Sequence, residues 1–186
     1  MWDRLSEISR RYQSMNGCHG YEHTERVVKL CAVLGEKKGA NMDVLIPAAI
    51  LHDIKRSEQS HARAGAIEAE KILRELDYNE DVITQVGKAI RVHSFSEAAK
   101  ADSIEAQILS DADKLDAIGA IGIYRTANYS GERDRPLNEF INHFHEKLLT
   151  LRDLLYTDEA KLMAEERNKF MIEYLEQLSK ELKAEI

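Results

Sequence analysis

Proline is nearly absent, with Pro47 and Pro136 the only two in 186 residues. Proline breaks helices, so its scarcity permits long uninterrupted ones. Cysteine is as scarce, with Cys18 and Cys31 alone. Two cysteines exclude a disulfide framework and read as free thiols of a reducing, cytoplasmic compartment. The longest apolar run, Val44 to Leu51, falls far short of a membrane span. Met1-Trp2-Asp3-Arg4 opens a charged segment with no apolar signal region after it. Positive charge is in deficit, at 26 Lys and Arg against 33 Asp and Glu, a net −7. That balance excludes a non-specific nucleic-acid binder, which needs a basic footprint, but leaves room for an anion pocket. A 44% hydrophobic, 32% charged chain is not disordered. Its length suits one domain with its own core.

Helical periodicity dominates, and no alternating strand stands out. The pattern predicts helices over 1–14, Glu22 to Lys38 with a stop at Gly39, 43–55, 61–76 capped by Ser60, and 78–93. Asp77 with Glu80 and Asp102 with Glu105 read as capping boxes. The second opens a long helix through Ile108, Leu115, Ile118 and Ile123. Residues 16–20 and the polar stretch 125–136 read as loops. A stripe at Leu137, Ile141, Phe144, Leu148, Leu151 and Leu155 predicts one more helix. The last runs from a Thr157 cap to Leu182, with Met163, Phe170, Met171 and Tyr174 on its apolar face. The sum is an all-α chain of about seven or eight helices. The 43–55 helix is apolar almost all round, which marks it as central. Lys55 and Arg56 read as ordinary helix C-terminal cations.

What the chain has in plenty is histidine, seven in all, beside many acids. His23 precedes Val27 by four and shares its apolar face. His52-Asp53 ends the most buried helix. His93 follows Val86 and Ile90, and His61 opens a helix near Gly65. Asp111, Asp113 and Asp116 interrupt an apolar helix. Buried acids are costly unless paired or metal-bound. Imidazole and carboxylate together suit divalent first-row metals. Taken singly, each feature also has a plain reading: a hydrogen-bonded core histidine, or a solvated acidic face. His143 and His145 on the C-terminal stripe read as surface or core.

His23, then His52-Asp53, then Asp113, on consecutive helices, resembles the HD-domain metal-dependent phosphohydrolase superfamily. Gly-Tyr-Glu-His-Thr-Glu-Arg-Val (20–27) is similar to that family's first-histidine segment, and Ala-Ala-Ile-Leu-His-Asp-Ile (48–54) to its signature. Residues 111–123, 141–149 and 164–171 resemble a subgroup of small stand-alone bacterial and archaeal HD hydrolases. The resemblance spans about 17–180. It implies a single HD-type domain over 1–186, with a metal-binding helical core at about 17–125 and C-terminal helices at about 137–184. His19 stands beside Gly20, where the family segment often carries an aspartate.

The resemblance implies His23, His52, Asp53 and Asp113 as ligands of one divalent ion (Mn, Fe, Ni, Co, Mg or Zn), one per chain being favoured over two. Helical phase by itself favours Asp111 as the inward acid, whereas the family's Ala-Asp-x-x-Asp-Ala pattern favours Asp113. The two lie about 200° apart on a helix, so both cannot face one ion. Asp113 is taken. Asp53, His61 and His93 are the expected catalytic residues. In two-metal relatives, histidines in the order of His61 and His93 are ligands and the aspartate bridges. Otherwise both histidines line the pocket, binding phosphate or positioning water. The implied reaction is attack of metal-bound water or hydroxide on phosphorus of a small phosphorylated metabolite, foremost a nucleotide. Arg26, Lys114 and Arg125 are the expected phosphate contacts, with Arg133 and Arg135 near a loop suited to a lid. The alternatives are a di-iron HD oxygenase and a regulatory module that binds a metal-nucleotide without turnover. No nucleic-acid polymer or membrane is expected as a partner. The apolar C-terminal helices serve equally as core or as a homodimer surface.

Overall fold

A computed structural model describes residues 2–13, 20–94 and 100–185. Cys18, His19 and all but Gly20 of the loop expected at 16–20 lie outside the described residues. Nine α-helices and one 3-10 segment occur among the described residues, with no strand. The all-α expectation holds, and the count exceeds it by one or two for reasons given below. No helix of the described residues is long and apolar enough to cross a membrane. The expected single domain, 1–186, contains two compact units, 1–113 and 114–186.

The first unit holds α1 (Trp2–Tyr12), α2 (Tyr21–Lys38), α3 (Met42–Leu51), α4 (His61–Glu75), α5 (Glu80–Arg91) and most of α6 (Ile104–Asp116). Helix α3 is its axis: every residue from Val44 to Leu51 is buried. Helices α1, α2, α4 and α5 all pack on it. Burying a full Leu or Ile side chain contributes about 1.5–3 kcal/mol, so an all-apolar helix belongs in the middle. Pro47 sits in mid-helix. The carbonyl its missing N–H leaves unbonded belongs to Asp43, which is exposed. Helix α3 ends at Leu51, four residues before the expected stop, and a series of turns carries the chain to α4. The Ser9 hydroxyl ties α1 to this axis by donating to the Ile50 carbonyl at 2.7 Å.

The helix ends follow local chemistry, with some substitutions of role. Gly39 ends α2 at φ +65°, a conformation glycine adopts without strain. Asn79 caps α5 by accepting from the Asp81 N–H; the expected Asp77 instead lies in the preceding turn at φ +57°. Ser103, one residue after the expected Asp102, accepts the Ala106 N–H. Glu105 accepts from the Asn41 N–H at 2.9 Å, so it anchors the start of α3 rather than closing a capping box. Ser60 occupies the cap position of α4 without a side-chain cap bond.

The second unit carries α7 (Gly119–Glu132), α8 (Leu137–Glu146), the 3-10 segment Leu148–Leu154 and α9 (Asp158–Leu182). The long helix expected through Ile123 breaks after Asp116. Ile118 is extended and Gly119 takes φ +77°, which starts α7 as a separate helix. Residues 125–132, expected as loop, continue α7. The stripe 137–155 is likewise divided, because α8 stops at Glu146 and the chain tightens into the 3-10 segment. The break resets the phase. Phe140 and Phe144 are buried, their rings 5.0 Å apart, whereas Leu137 is exposed and Ile141 half-buried. Thr157 caps α9 as expected. Met171 is buried there, but Phe170 is exposed.

Candidate metal centre

The centre forms where α3 and α5 end and α2 begins. His23 sits in the first turn of α2, where its amide donates to the Gly20 carbonyl at 2.9 Å. Its buried face continues through Thr24, Val27, Cys31 and Leu34. His52 closes α3 and donates from Nδ1 to the Ala49 carbonyl at 2.8 Å. A carbonyl can only accept, so in neutral imidazole the His52 Nε2 carries the lone pair. His93 follows α5 and repeats the device, Nδ1 to the Ile90 carbonyl at 2.6 Å. Asp113 comes from α6. Gly65 on α4 lets that helix approach the HD dipeptide: a Cβ there would lie 3.3 Å from the His52 carbonyl oxygen.

The donor atoms converge. His23 Nε2 is 3.2 Å from His52 Nε2, 3.3 Å from Asp113 Oδ1 and 3.7 Å from Asp53 Oδ2. His52 Nε2 is 3.8 Å from the same Asp53 oxygen. Asp53 Oδ1 faces the other way, 3.7 Å from His93 Nε2. Two groups, His23/His52/Asp113 and His52/Asp53/His93, each keep one ligand atom per residue within 4.8 Å of one another. Neighbouring rings in the row His23, His52, His93, His61 have centroids 5.2, 5.2 and 5.7 Å apart, meeting edge to face. His23, His52, Asp53 and His93 are all at most 3% exposed. Asp113 is half-buried. Asp111 is fully buried, as helical phase suggested, yet belongs to neither group.

These residues fit a divalent cation. Asp53 Oδ1 and His93 Nε2 are buried and have no hydrogen-bond partner. Unpaired buried polar atoms are costly, and a cation between N and O donors satisfies both kinds. The titration behaviour agrees. Burial pushes the His52 imidazole down to about 4, so it is neutral, as a ligand must be. Burial works against the Asp113 carboxylate, but the imidazoles of His23, His93 and His52 hold it well below the usual carboxylate range. Asp53 is held low against burial by His52, His93 and the Arg56 guanidinium. Burial works to lower the His93 imidazole, but the Asp53 and Asp113 carboxylates outweigh it and raise it. The buried Asp53 and half-buried Asp113 carboxylates therefore draw positive charge toward the histidines. The ends of α3 and α5 meet there too, and helix C-termini favour cations.

The other expected residues are dispersed. His61 is half-buried at the head of α4, with Nε2 accepting from Arg56 Nη1 at 2.9 Å. Arg26 lies one turn beyond His23 on α2, 4.0 Å from Glu22. Lys114, next after Asp113, is buried. Arg125 is paired with Asp116 at 2.7 Å inside the second unit, where the Arg167 guanidinium also binds the Leu115 carbonyl. Arg133 and Arg135 lie over the Tyr129 ring at 4.8 and 5.0 Å, in the short connection between α7 and α8. His143 is half-buried and His145 exposed on α8. Arg56, expected as an ordinary helix-end cation, joins the site instead. Its guanidinium reaches both His61 and, at 3.6 Å, Asp53 Oδ1. Its spacing, three after Asp53, was the available signal.

The HD domain family matches residues 20–118, which contain every member of the cluster. The Bacillus subtilis protein YpgQ is 34% identical over 173 residues, 88% of this chain and 84% of its own. The crystal structure of YpgQ in complex with ADP superposes with a TM-score of 0.84 at 31% identity, covering 97% of both chains. An HD-superfamily hydrolase from Bacillus thuringiensis superposes at 0.82 and 34% identity, covering 98% of this chain and 97% of its own. With the matched span enclosing the His-Asp pair, the preceding histidine and the later aspartate, this chain belongs to the HD domain family.

Proposed function

We propose that this protein is a metal-dependent phosphohydrolase acting on a small phosphorylated metabolite, foremost a nucleotide. The observation that carries the reading is the gathering of His52 Nε2, Asp113 Oδ1 and Asp53 Oδ2 around His23 Nε2, at 3.2, 3.3 and 3.7 Å. These four would hold the ion, one per chain. When bound, a divalent ion lowers the pKa of a water and neutralises phosphoryl charge. The hydrolase character of the Bacillus thuringiensis relative and the ADP in the YpgQ complex support a phosphate ester or anhydride as substrate.

The chain's own residues divide the remaining work. Ala49 and Ile90 carbonyls orient the His52 and His93 rings through Nδ1, so both Nε2 atoms point into the centre. Asp53 touches both sides of the cluster, Oδ2 toward His23 and Oδ1 toward His93. That position suits it to orient an attacking water, with His93 as the group that takes up or returns its proton. His61 lines the far side. Arg26, on the face of α2 that carries His23, is assigned to the substrate phosphate. Lys114, which follows Asp113 in the chain, and Arg125, now paired with Asp116, are the two further candidates.

A panel of nucleoside mono-, di- and triphosphates, assayed with Mn, Co, Ni, Mg, Fe or Zn, tests the reading. Phosphate or pyrophosphate release is expected only with metal, and none from a His52→Ala/Asp53→Ala double variant. Turnover that survives in the double variant would sink the site. Nucleotide binding without turnover under every metal would favour the regulatory module. Two irons per chain with oxygen consumption would favour the oxygenase.

A further inference from the structure

Arg56 stands in the turn between α3 and α4, and it bridges two residues of the histidine row. Its Nη1 donates to His61 Nε2 at 2.9 Å and lies 3.6 Å from Asp53 Oδ1. A guanidinium is always charged and only donates. The His61 Nε2 that meets it is therefore an acceptor, which places the ring proton on Nδ1. The Asp53 Oδ1 side of the cluster presents two adjacent ligand atoms, Asp53 Oδ1 and His93 Nε2, with the His61 ring beyond them, its centroid 5.7 Å from that of His93. The two atoms are 3.7 Å apart and lack hydrogen-bond partners. The His61 Nε2 beyond them is taken by Arg56. A second divalent ion bound by these atoms would lie against a fixed positive charge and compete with it for His61 and Asp53.

We propose that Arg56 occupies the place of a second metal ion, so that the centre takes a single ion on the His23/His52/Asp113 side. Arg56 is a positioning residue in this scheme. It fixes the tautomer of His61 and supplies, as a side chain, the positive charge that Asp53 Oδ1 otherwise draws from a cation. The inference rests on the metal centre of the preceding section but not on its turnover or substrate. It also reverses the sequence reading of Arg56 as an ordinary helix-end cation.

The test is metal content after equilibrium dialysis of the intact chain against Mn2+, read by elemental analysis, with electron paramagnetic resonance to detect coupled ion pairs. Arg56→Gln keeps the bulk and removes the charge, and Arg56→Ala guards against the glutamine blocking the vacated space. The Arg56 side chain is 40% exposed, so neither change hollows the core. Wild type is expected to hold a single Mn2+ with no coupled-pair signal. A second ion and a coupled spectrum in either variant carry the proposal. One ion in both variants, or two in wild type, overturns the role of Arg56 and leaves the metal centre intact. Wild type that binds no Mn2+ overturns the centre itself.

Discussion

His52 and His93 close two different helices with the same contact. Each donates Nδ1–H to the carbonyl three residues back, Ala49 at 2.8 Å and Ile90 at 2.6 Å, and each thereby frees Nε2 for the centre. One hydrogen bond thus helps finish the helix, fixes the ring and selects the tautomer. The two rings meet edge to face at 5.2 Å, so the ends of α3 and α5 become the walls of one site.

Mn2+ is expected to stabilise the fold through this site. Anything that binds only the native state stabilises it by RT ln(1 + [L]/Kd), about 2.7 kcal/mol at a hundredfold excess over Kd. Thermal unfolding followed by circular dichroism should show a melting temperature that rises with Mn2+ and returns with EDTA. The rise should vanish in His52→Ala. A shift of equal size in that variant would place the ion elsewhere.

The His52 imidazole is expected to stay neutral well below the usual histidine range. Burial lowers it to about 4 in the ion-free protein, against about 6.5 in the unfolded chain. Between those values the unfolded chain binds a proton that the folded one does not, so this group's contribution falls as pH falls. It is complete above about 6.5, declines by roughly 1.4 kcal/mol per pH unit, and is gone below about 4. The ring carbon resonance of His52 in NMR spectra should not titrate between about pH 8 and 5. A midpoint near 6.5 would contradict the burial argument.

Cys31 is expected to resist thiol reagents. The side chain is fully buried, and burial together with the Asp113 and Asp111 carboxylates pushes its thiol up. The thiolate is the reactive form, so native protein at pH 8 should be unmodified by iodoacetamide at this position. Denatured protein should react fully. A Cys18→Ser background isolates the signal in mass spectrometry, and rapid labelling of the native chain would show the core there to be open.

Gly119→Ala should destabilise the second unit by about 1–3 kcal/mol. The residue holds φ +77°, and a Cβ would come within 2.9 Å of Arg167 Cγ. Chemical denaturation should show a lower midpoint with little change in slope. An unchanged midpoint would mean that α6 and α7 can join without this turn.

Much of the helical plan was legible in the residues. The 3.6-residue period, the stop at Gly39, the cap at Thr157 and the apolar 44–51 run each have a local cause, and each stands in the fold. The breaks were less visible. Leu115, Ile118 and Ile123 continue a helical pattern across 117–118, and the extended Ile118 with the positive φ of Gly119 divides it. The stripe through Leu155 hid the stop at Glu146 for the same reason, since periodicity says nothing about where a backbone bends.

The sequence by itself determined an all-α chain with a His-Asp pair at the end of its most buried helix, because burial and period are local properties of the residues. Only the tertiary structure decided which acid joins the histidines and where Arg56 goes. Asp111 and Asp113 are separated by one residue, and both lie on a helix with buried positions. Their difference is a matter of which neighbour each faces, and His23, 90 residues away from Asp113 in sequence, is the neighbour that distinguishes them. Arg56 likewise meets His61 only because the turns after α3 fold it back across Asp53.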